Sequence, residues 1–489
     1  MRALVWLRRD LRTIDNTALI RAMDKVEQSS GANKGLIALF TVTQKQWQEH
    51  AVSAMQQQLI FRRLQALTRE LAELKVPLHI EVVDSYQDCG SLIAQLCERM
   101  SIEHVFANSD YEFNEQQRDE QVKSRLESDN IGFTLCADKC VFAPGSILNK
   151  QGSYFKVFTP FKNSWLQRFD PAQLVVRKPV ALATNGLFDA RQALELPSNI
   201  DDSQVVHNNT THNNATENWQ VDTQSIINQL RLFSFQKANN YHDNRDVPSI
   251  KGTSQLSPYL ALGMLSVRQC IARLLNGRHP QQLSEGEQTW LSELIWREFY
   301  QHLIYFQPKL CKGANFVAWC NNIRWQGDIE HLKSWQQGTT GYPIVDAAMK
   351  QLNQTGWMHN RLRMIVASFL SKDLLLDWRF GERYFMSQLV DGDFAANNGG
   401  WQWSASTGCD AQPYFRIFNP ISQGKKFDPQ GEFVKQWLPE LQSVPDKYIH
   451  SPWLWEEFAS LDYPDPIVDH KKQRQRALQM YKEAKNSEC

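Results

Sequence analysis

Met1-Arg-Ala-Leu-Val-Trp-Leu-Arg8-Arg9-Asp10 opens the chain. Five apolar residues, 3–7, run straight into three charged ones. A run that short cannot cross a membrane or act as a secretory leader. It fits a buried strand. Further short apolar runs follow at 36–42, 78–83 and 104–107, separated by amphipathic stretches such as 55–74 and 91–100. Strands alternating with helical patterns predict a doubly wound, Rossmann-like parallel sheet over residues 1–135. No G-x-G-x-x-G follows the first strand, so the usual dinucleotide fingerprint is missing.

The chain has 489 residues, too many for one hydrophobic core, so two domains are expected. Its 42% hydrophobic and 22% charged residues describe an ordinary soluble protein, read as cytoplasmic. Nine cysteines, an odd number, are scattered without a partner set of zinc-ligand spacing, so free thiols and no metal are expected. Lys+Arg and Asp+Glu are both 53, so any binding of nucleic acid has to use a local basic patch. Candidates for its rim are Lys162, Arg245, Arg361, Arg363 and Lys425. Residues 136–220 read as a long connector, with three prolines between 170 and 200 and a polar Asn/Thr/His stretch at 207–216. The Asn-x-Thr sequons at Asn208, Asn209 and Asn214 then mean no more than a polar loop. From 221 to 489 the pattern is helical. Twelve of the sixteen tryptophans lie from Trp290 onward.

Four stretches of this helical half carry candidate chemistry. Lys251-Gly-Thr253-Ser254-Gln255-Leu256-Ser257-Pro258 reads as a helix start capped by Ser257, and as an anion site if the cap has a ligand. In 290–303, Leu291, Ile295 and Phe299 fall on one face, while Glu293, Trp296, Arg297 and Tyr300 fall on the other. In 357–374, Leu362, Ile365, Val366 and Phe369 form the apolar stripe. Asn360, Met364, Ala367 and Ser371 lie opposite, with Arg363 beside them, as in a cavity wall. Last, Asp391-Gly-Asp393-Phe-Ala-Ala-Asn397-Asn-Gly-Gly-Trp401-Gln-Trp403 mixes carboxylates, amides, glycines and indoles. That mixture suits a flat, redox-active ligand. It also suits a Gly-rich turn joining two helices, with both tryptophans in the core.

Longer motifs identify a family. Val5-Trp-Leu-Arg8-Arg-Asp10-Leu-Arg12-(x2)-Asp15-Asn16 resembles the opening of the photolyase/cryptochrome family. So do Glu293-Leu-Ile-Trp-Arg-Glu-Phe-Tyr300, Gly341-Tyr-Pro-Ile-Val-Asp-Ala-Ala-Met349 and Trp357-Met-His-Asn-Arg-Leu-Arg-Met364. The likeness runs from residue 1 to about 475. It is nearest to class I cyclobutane pyrimidine dimer photolyases of the enterobacterial type.

The resemblance implies an α/β antenna domain joined by a long linker to an all-α domain that binds FAD. It assigns FAD to Tyr241, Thr253, Ser254, Gln255, Leu256, Ser257, Trp290, Glu293, Arg297, Asn360, Arg363, Asp391, Gly392 and Asp393. Asn397 takes the place facing flavin N5, where plant cryptochromes have Asp and animal ones Cys. The flipped dimer would meet Glu293, Trp296, Asn360, Met364 and Trp403. Enzymes of the family that repair the (6-4) photoproduct carry histidines in place of Asn360 and Met364. Trp401, Trp378 and Trp325 match an electron relay from flavin to surface. Trp319, Trp335, Trp437, Trp453 and Trp455 are left as core. Asn114, Glu115, Cys311 and Lys312 match contacts of a methenyltetrahydrofolate antenna, and a deazaflavin stays open.

The expected activity is light-driven repair of dimers in DNA, by a monomer with no obligate protein partner. A cryptochrome photoreceptor is the alternative, though little chain follows Asp469 to form a signalling tail. A light-independent nucleotide-binding protein is a third reading.

Overall fold

The computed structural model describes residues 1–30, 33–189 and 216–487. The polar stretch at 207–216, its three sequons and Pro197 fall almost wholly outside them. Two compact units emerge. The first comprises Met1–Phe155, Thr159–Asn239 and Ser254–Pro308; the second comprises Lys156–Phe158, Asn240–Thr253 and Lys309–Cys489. These limits do not follow the expected 1–135, 136–220 and 221–489. Residues 254–308, part of the predicted helical half, pack within the first unit.

The first unit is built on five parallel strands: β1 (Arg2–Leu7), β2 (Gly35–Thr43), β3 (Leu78–Val83), β4 (His104–Asn108) and β5 (Gly132–Cys136). Their order, β3-β2-β1-β4-β5, reverses direction between β1 and β4. Helices Thr17–Gln28, Ala54–Glu73, Cys89–Met100 and Phe113–Ser128 connect them. β2 is buried along its whole length, which accounts for its mostly apolar sequence. At the centre Trp6 is fully buried and donates its indole N–H to Thr41. The guanidinium groups of Arg8 and Arg118 stand 4.5 and 4.9 Å from its ring. Gly263 has φ +62°, and a side chain there would collide with the Arg9 backbone. That close approach requires glycine.

The long helix Glu285–Phe306 also belongs to this unit. A capping box between Ser284 and Glu287 starts it. Leu291, Ile295 and Phe299 are buried, and Glu293, Trp296, Arg297 and Tyr300 are half-buried, as the periodicity requires.

The second unit is helical. Its core gathers Trp335, Trp378, Trp401, Phe369 and Phe385 with aliphatic residues of Pro343–Thr355 and Asn360–Ser368. The helix expected over 357–374 starts at Asn360, because His359 caps it by accepting from the Arg361 N–H at 3.2 Å. It ends in a π-helical turn, Phe369–Asp373. Within the expected cavity stripe, Ala367 and Ser371 are buried, and Ser371 bonds back to the Ala367 carbonyl. Only Asn360 and Met364 of that stripe keep exposure. Among the described residues no helix is long and apolar enough to cross a membrane.

Candidate functional site

The Asp391–Trp403 stretch is mostly helix rather than a glycine-rich turn. Asp393 caps helix Phe394–Ser404, accepting from the Ala396 N–H at 3.0 Å, and Gly399 and Gly400 lie inside the helix while Gly392 precedes it. This corrects the turn reading: once Asp393 closes the first turn, the glycines need no special backbone.

Asp391 is buried just before that helix. Its Oδ2 accepts from Arg363 at 2.8 Å, while its Oδ1 is buried without a hydrogen-bond partner among the described residues. A buried carboxylate oxygen without a donor is costly, so the site suits a ligand bringing an N–H or O–H group. FAD brings both. Arg363 is further fixed by the Met358 carbonyl at 2.9 Å. Arg363 therefore serves the buried carboxylate rather than an outer basic rim. Arg361 is likewise engaged, with Asp246 at 2.6 Å and the Phe427 ring at 4.4 Å.

Asn397 donates its side-chain N–H to the Glu382 carbonyl at 2.9 Å, which leaves its own oxygen for an incoming donor. Beside it runs a chain of side-chain hydrogen bonds. Asn398 donates to the Glu382 carboxylate at 2.7 Å, and Gln402 donates to Asn398 at 2.9 Å. Burial pushes the Glu382 carboxyl up to about 7. The doubled amide Asn397-Asn398 was the only sequence hint.

The segment at 253–257 departs from the expected cap. The short helix is Ser257–Ala261, so Ser257 is its first residue and Leu256 the cap, without a side-chain bond. Gln255, just before the cap, takes a left-handed conformation, φ +51°. The carbonyls of Ser254 and Gln255 are held by Gln229 at 3.0 and 3.2 Å. Thr253 and Tyr241 fall in the second unit, where Arg245 lies 5.5 Å from the Tyr241 ring.

The remaining expected contacts divide between the units. Trp290, Glu293, Trp296 and Arg297 belong to the first; Asn360, Met364 and Trp403 to the second. Trp290 packs against Phe233 at 4.8 Å. Arg297 donates to the Lys139 and Leu260 carbonyls, each at 3.1 Å. Trp296 leans on Phe299 and Tyr300. Trp403 is half-buried.

The three relay candidates all lie in the second unit. Trp401 and Trp378 are buried and Trp325 is half-buried. Trp335, read as core, is fully buried, edge-on to Trp401 at 6.0 Å and bonded to the Val366 carbonyl.

In the first unit an open cleft lies at the carboxyl ends of the strands, lined by Thr43, Trp47, His50, Tyr86, Glu115 and Arg118. Crevices there are the usual ligand sites of open α/β sheets. Glu115 accepts from Tyr86 at 3.0 Å, and Asn114 bonds His50 at 2.9 Å. Desolvation lowers His50 to about 4, so the ring is neutral, and raises Glu115. Cys311 and Lys312 fall in the second unit, half-buried and exposed.

Two family models match the chain. "DNA photolyase" covers residues 3–181, and "FAD binding domain of DNA photolyase" covers 290–483. Over 488 residues the chain is 50% identical to the deoxyribodipyrimidine photo-lyase of Vibrio cholerae, covering 99% of each. The chain belongs to the DNA photolyase family. The Escherichia coli relative of the same name is 47% identical, over 99% of this chain and 98% of that one. Among solved structures, a bacterial class III photolyase from Agrobacterium tumefaciens superposes with a TM-score of 0.82 at 31% identity, covering 99% and 98% of the two chains. A Synechocystis cryptochrome superposes as well, at 0.82, but at 24% identity the likeness concerns the fold alone. The photolyase fold and a FAD site in its helical part are thereby established.

Proposed function

We propose that the chain is a deoxyribodipyrimidine photo-lyase, an enzyme that uses light to split cyclobutane pyrimidine dimers in DNA. The observation that carries this reading is the orientation of Asn397. Its amide N–H is committed to Glu382, so its oxygen is left to accept from a protonated flavin N5. When bound, reduced FAD supplies a light-driven electron to the dimer and takes it back after both cyclobutane bonds open.

The chain's own residues bind, orient and shield. Tyr241 and residues 253–257 hold the phosphate side of the cofactor, with Trp290 and Arg297 beyond. Asp391 offers its unpartnered oxygen to a donor of the cofactor, and Arg363 holds the other oxygen at 2.8 Å. Photolyases are among the enzymes that take a base out of the stack. Trp296 and Trp403 offer flat faces to the flipped dimer, Asn360 and Met364 complete the wall, and Glu293 hydrogen-bonds the base edge. A methenyltetrahydrofolate antenna contacts Asn114 and Glu115 together with Cys311 and Lys312, and the residues divide by task into 1–135 and 221–489. The protein works in the cytoplasm as a monomer without an obligate protein partner.

The test is direct. Reduced protein is mixed with UV-irradiated DNA, and dimers are counted after light and after darkness. Light-dependent loss is expected; equal counts would sink the proposal. A cryptochrome without repair, the alternative, predicts equal counts with flavin bound.

A further inference from the structure

Trp378 is fully buried, and its indole N–H donates to the side-chain oxygen of Asn315 at 3.0 Å. Asn315 is itself buried, and its orientation is fixed from two sides. Its amide N–H donates to Asn321 at 3.0 Å, so only its oxygen can face the indole. Its backbone is tied to helix Phe394–Ser404: Gln402 accepts from the Phe316 N–H at 2.9 Å and donates to the Ala314 carbonyl at 3.3 Å.

An indole that loses one electron becomes far more acidic at its N–H. A carboxylate or water at that N–H would remove the proton and leave a neutral radical, a poor oxidant of the next tryptophan. An amide oxygen accepts the hydrogen bond but does not take the proton. In a dry core such a bond to a charged group is strengthened.

We propose that Asn315 is a positioning residue that keeps oxidised Trp378 protonated, so that its electron vacancy passes on to Trp325. This rests on reading Trp401, Trp378 and Trp325 as a relay. One electron moves at each step. Trp401 gives one to light-excited oxidised flavin and is refilled by Trp378, and Trp378 is refilled by Trp325. No proton moves at Trp378. The half-buried Trp325 releases its N–H proton to water, and an external thiol supplies the final electron.

Transient absorption of flavin-loaded, oxidised protein separates protonated from neutral indole radicals. In the parent, only the protonated form is expected at Trp378, and refilling by Trp325 proceeds at the same rate in H₂O and D₂O. A solvent isotope effect on that hop would overturn the proposal without any variant. Asn315→Asp keeps the shape and adds a base; a neutral Trp378 radical should appear and the yield at Trp325 should fall several-fold. Asn315→Leu removes the acceptor and should lower the yield of oxidised Trp378 roughly tenfold. Parent-like radicals in both variants would overturn the role of Asn315. Trp378→Phe serves as the reference. If it photoreduces like the parent, the relay reading fails, and this proposal with it.

Discussion

A methyl group at Gly381 would overlap the six-membered ring of Trp401. The helix Trp378–Gln388 therefore carries a notch into which this indole fits, with Phe385 edge-on at 5.0 Å and Trp335 at 6.0 Å. Gly381→Ala should gain about 1 kcal/mol of helix propensity and lose more to overpacking, typically about 1–3 kcal/mol. Thermal unfolding should show a lower midpoint and photoreduction a slower first step. An unchanged midpoint and rate would mean that the ring moves aside freely.

The Arg363–Asp391 pair is unequal, since Asp391 is the deeper member. Arg363→Ala strands a buried carboxylate and should destabilise the protein by about 3 kcal/mol. Asp391→Asn keeps the shape and should cost less stability but more flavin. Urea midpoints and the 450 nm absorbance retained through gel filtration separate the two effects.

Trp296→Ala should weaken binding of dimer-containing DNA by about 10- to 100-fold, the worth of stacking roughly one base, while flavin stays bound. Titration of lesion DNA against the flavin-loaded protein checks this. Unaltered lesion affinity would remove Trp296 from the pocket wall.

His359 links acid to the site helix. Burial lowers it to about 4, and its Nδ1 must stay unprotonated to accept from Arg361. Unfolded, it titrates near 6.5, so between pH 6.5 and 4 the unfolded chain binds the extra proton. Stability from this group is complete above 6.5 and falls with pH, by up to about 1.4 kcal/mol per unit. Buried carboxyls such as Glu298, raised to about 7, and Asp346, raised to about 6, act with the opposite sign. The useful quantity is thus the difference between parent and His359→Asn, which keeps a cap that does not titrate. Urea unfolding from pH 7 to pH 4.5 should show the parent losing ground to the variant; a constant difference would contradict the assignment.

The first four strands were readable because their apolar runs are buried and end at charged or polar residues. β5 is harder to read because its apolar residues are few, and Phe133 and Leu135 are not fully covered. The faces of the Glu285–Phe306 helix followed from periodicity alone. The start of the Asn360 helix did not, since histidine is not a usual cap. Ser257 misled because a Ser-Pro pair has the same appearance whether it caps or begins a helix. Within the site, residues on one motif were legible as a group. Asn315, Glu382 and Gly381 were not, because their partners lie 15 to 63 positions away or are fixed by packing. The grouping of 254–308 with the α/β strands was hidden for the same reason. Periodicity reports local structure and says nothing of which distant segment it meets.

Asn397 and Trp401 stand four residues apart inside one continuous helix, Phe394–Ser404. Their separation is thus a count of residues along a stiff rod, and no hinge intervenes to adjust it. One residue inserted between them would swing Trp401 about 100° around the axis, out of its notch. The stretch should therefore tolerate exchanges of side chain far better than any change of length.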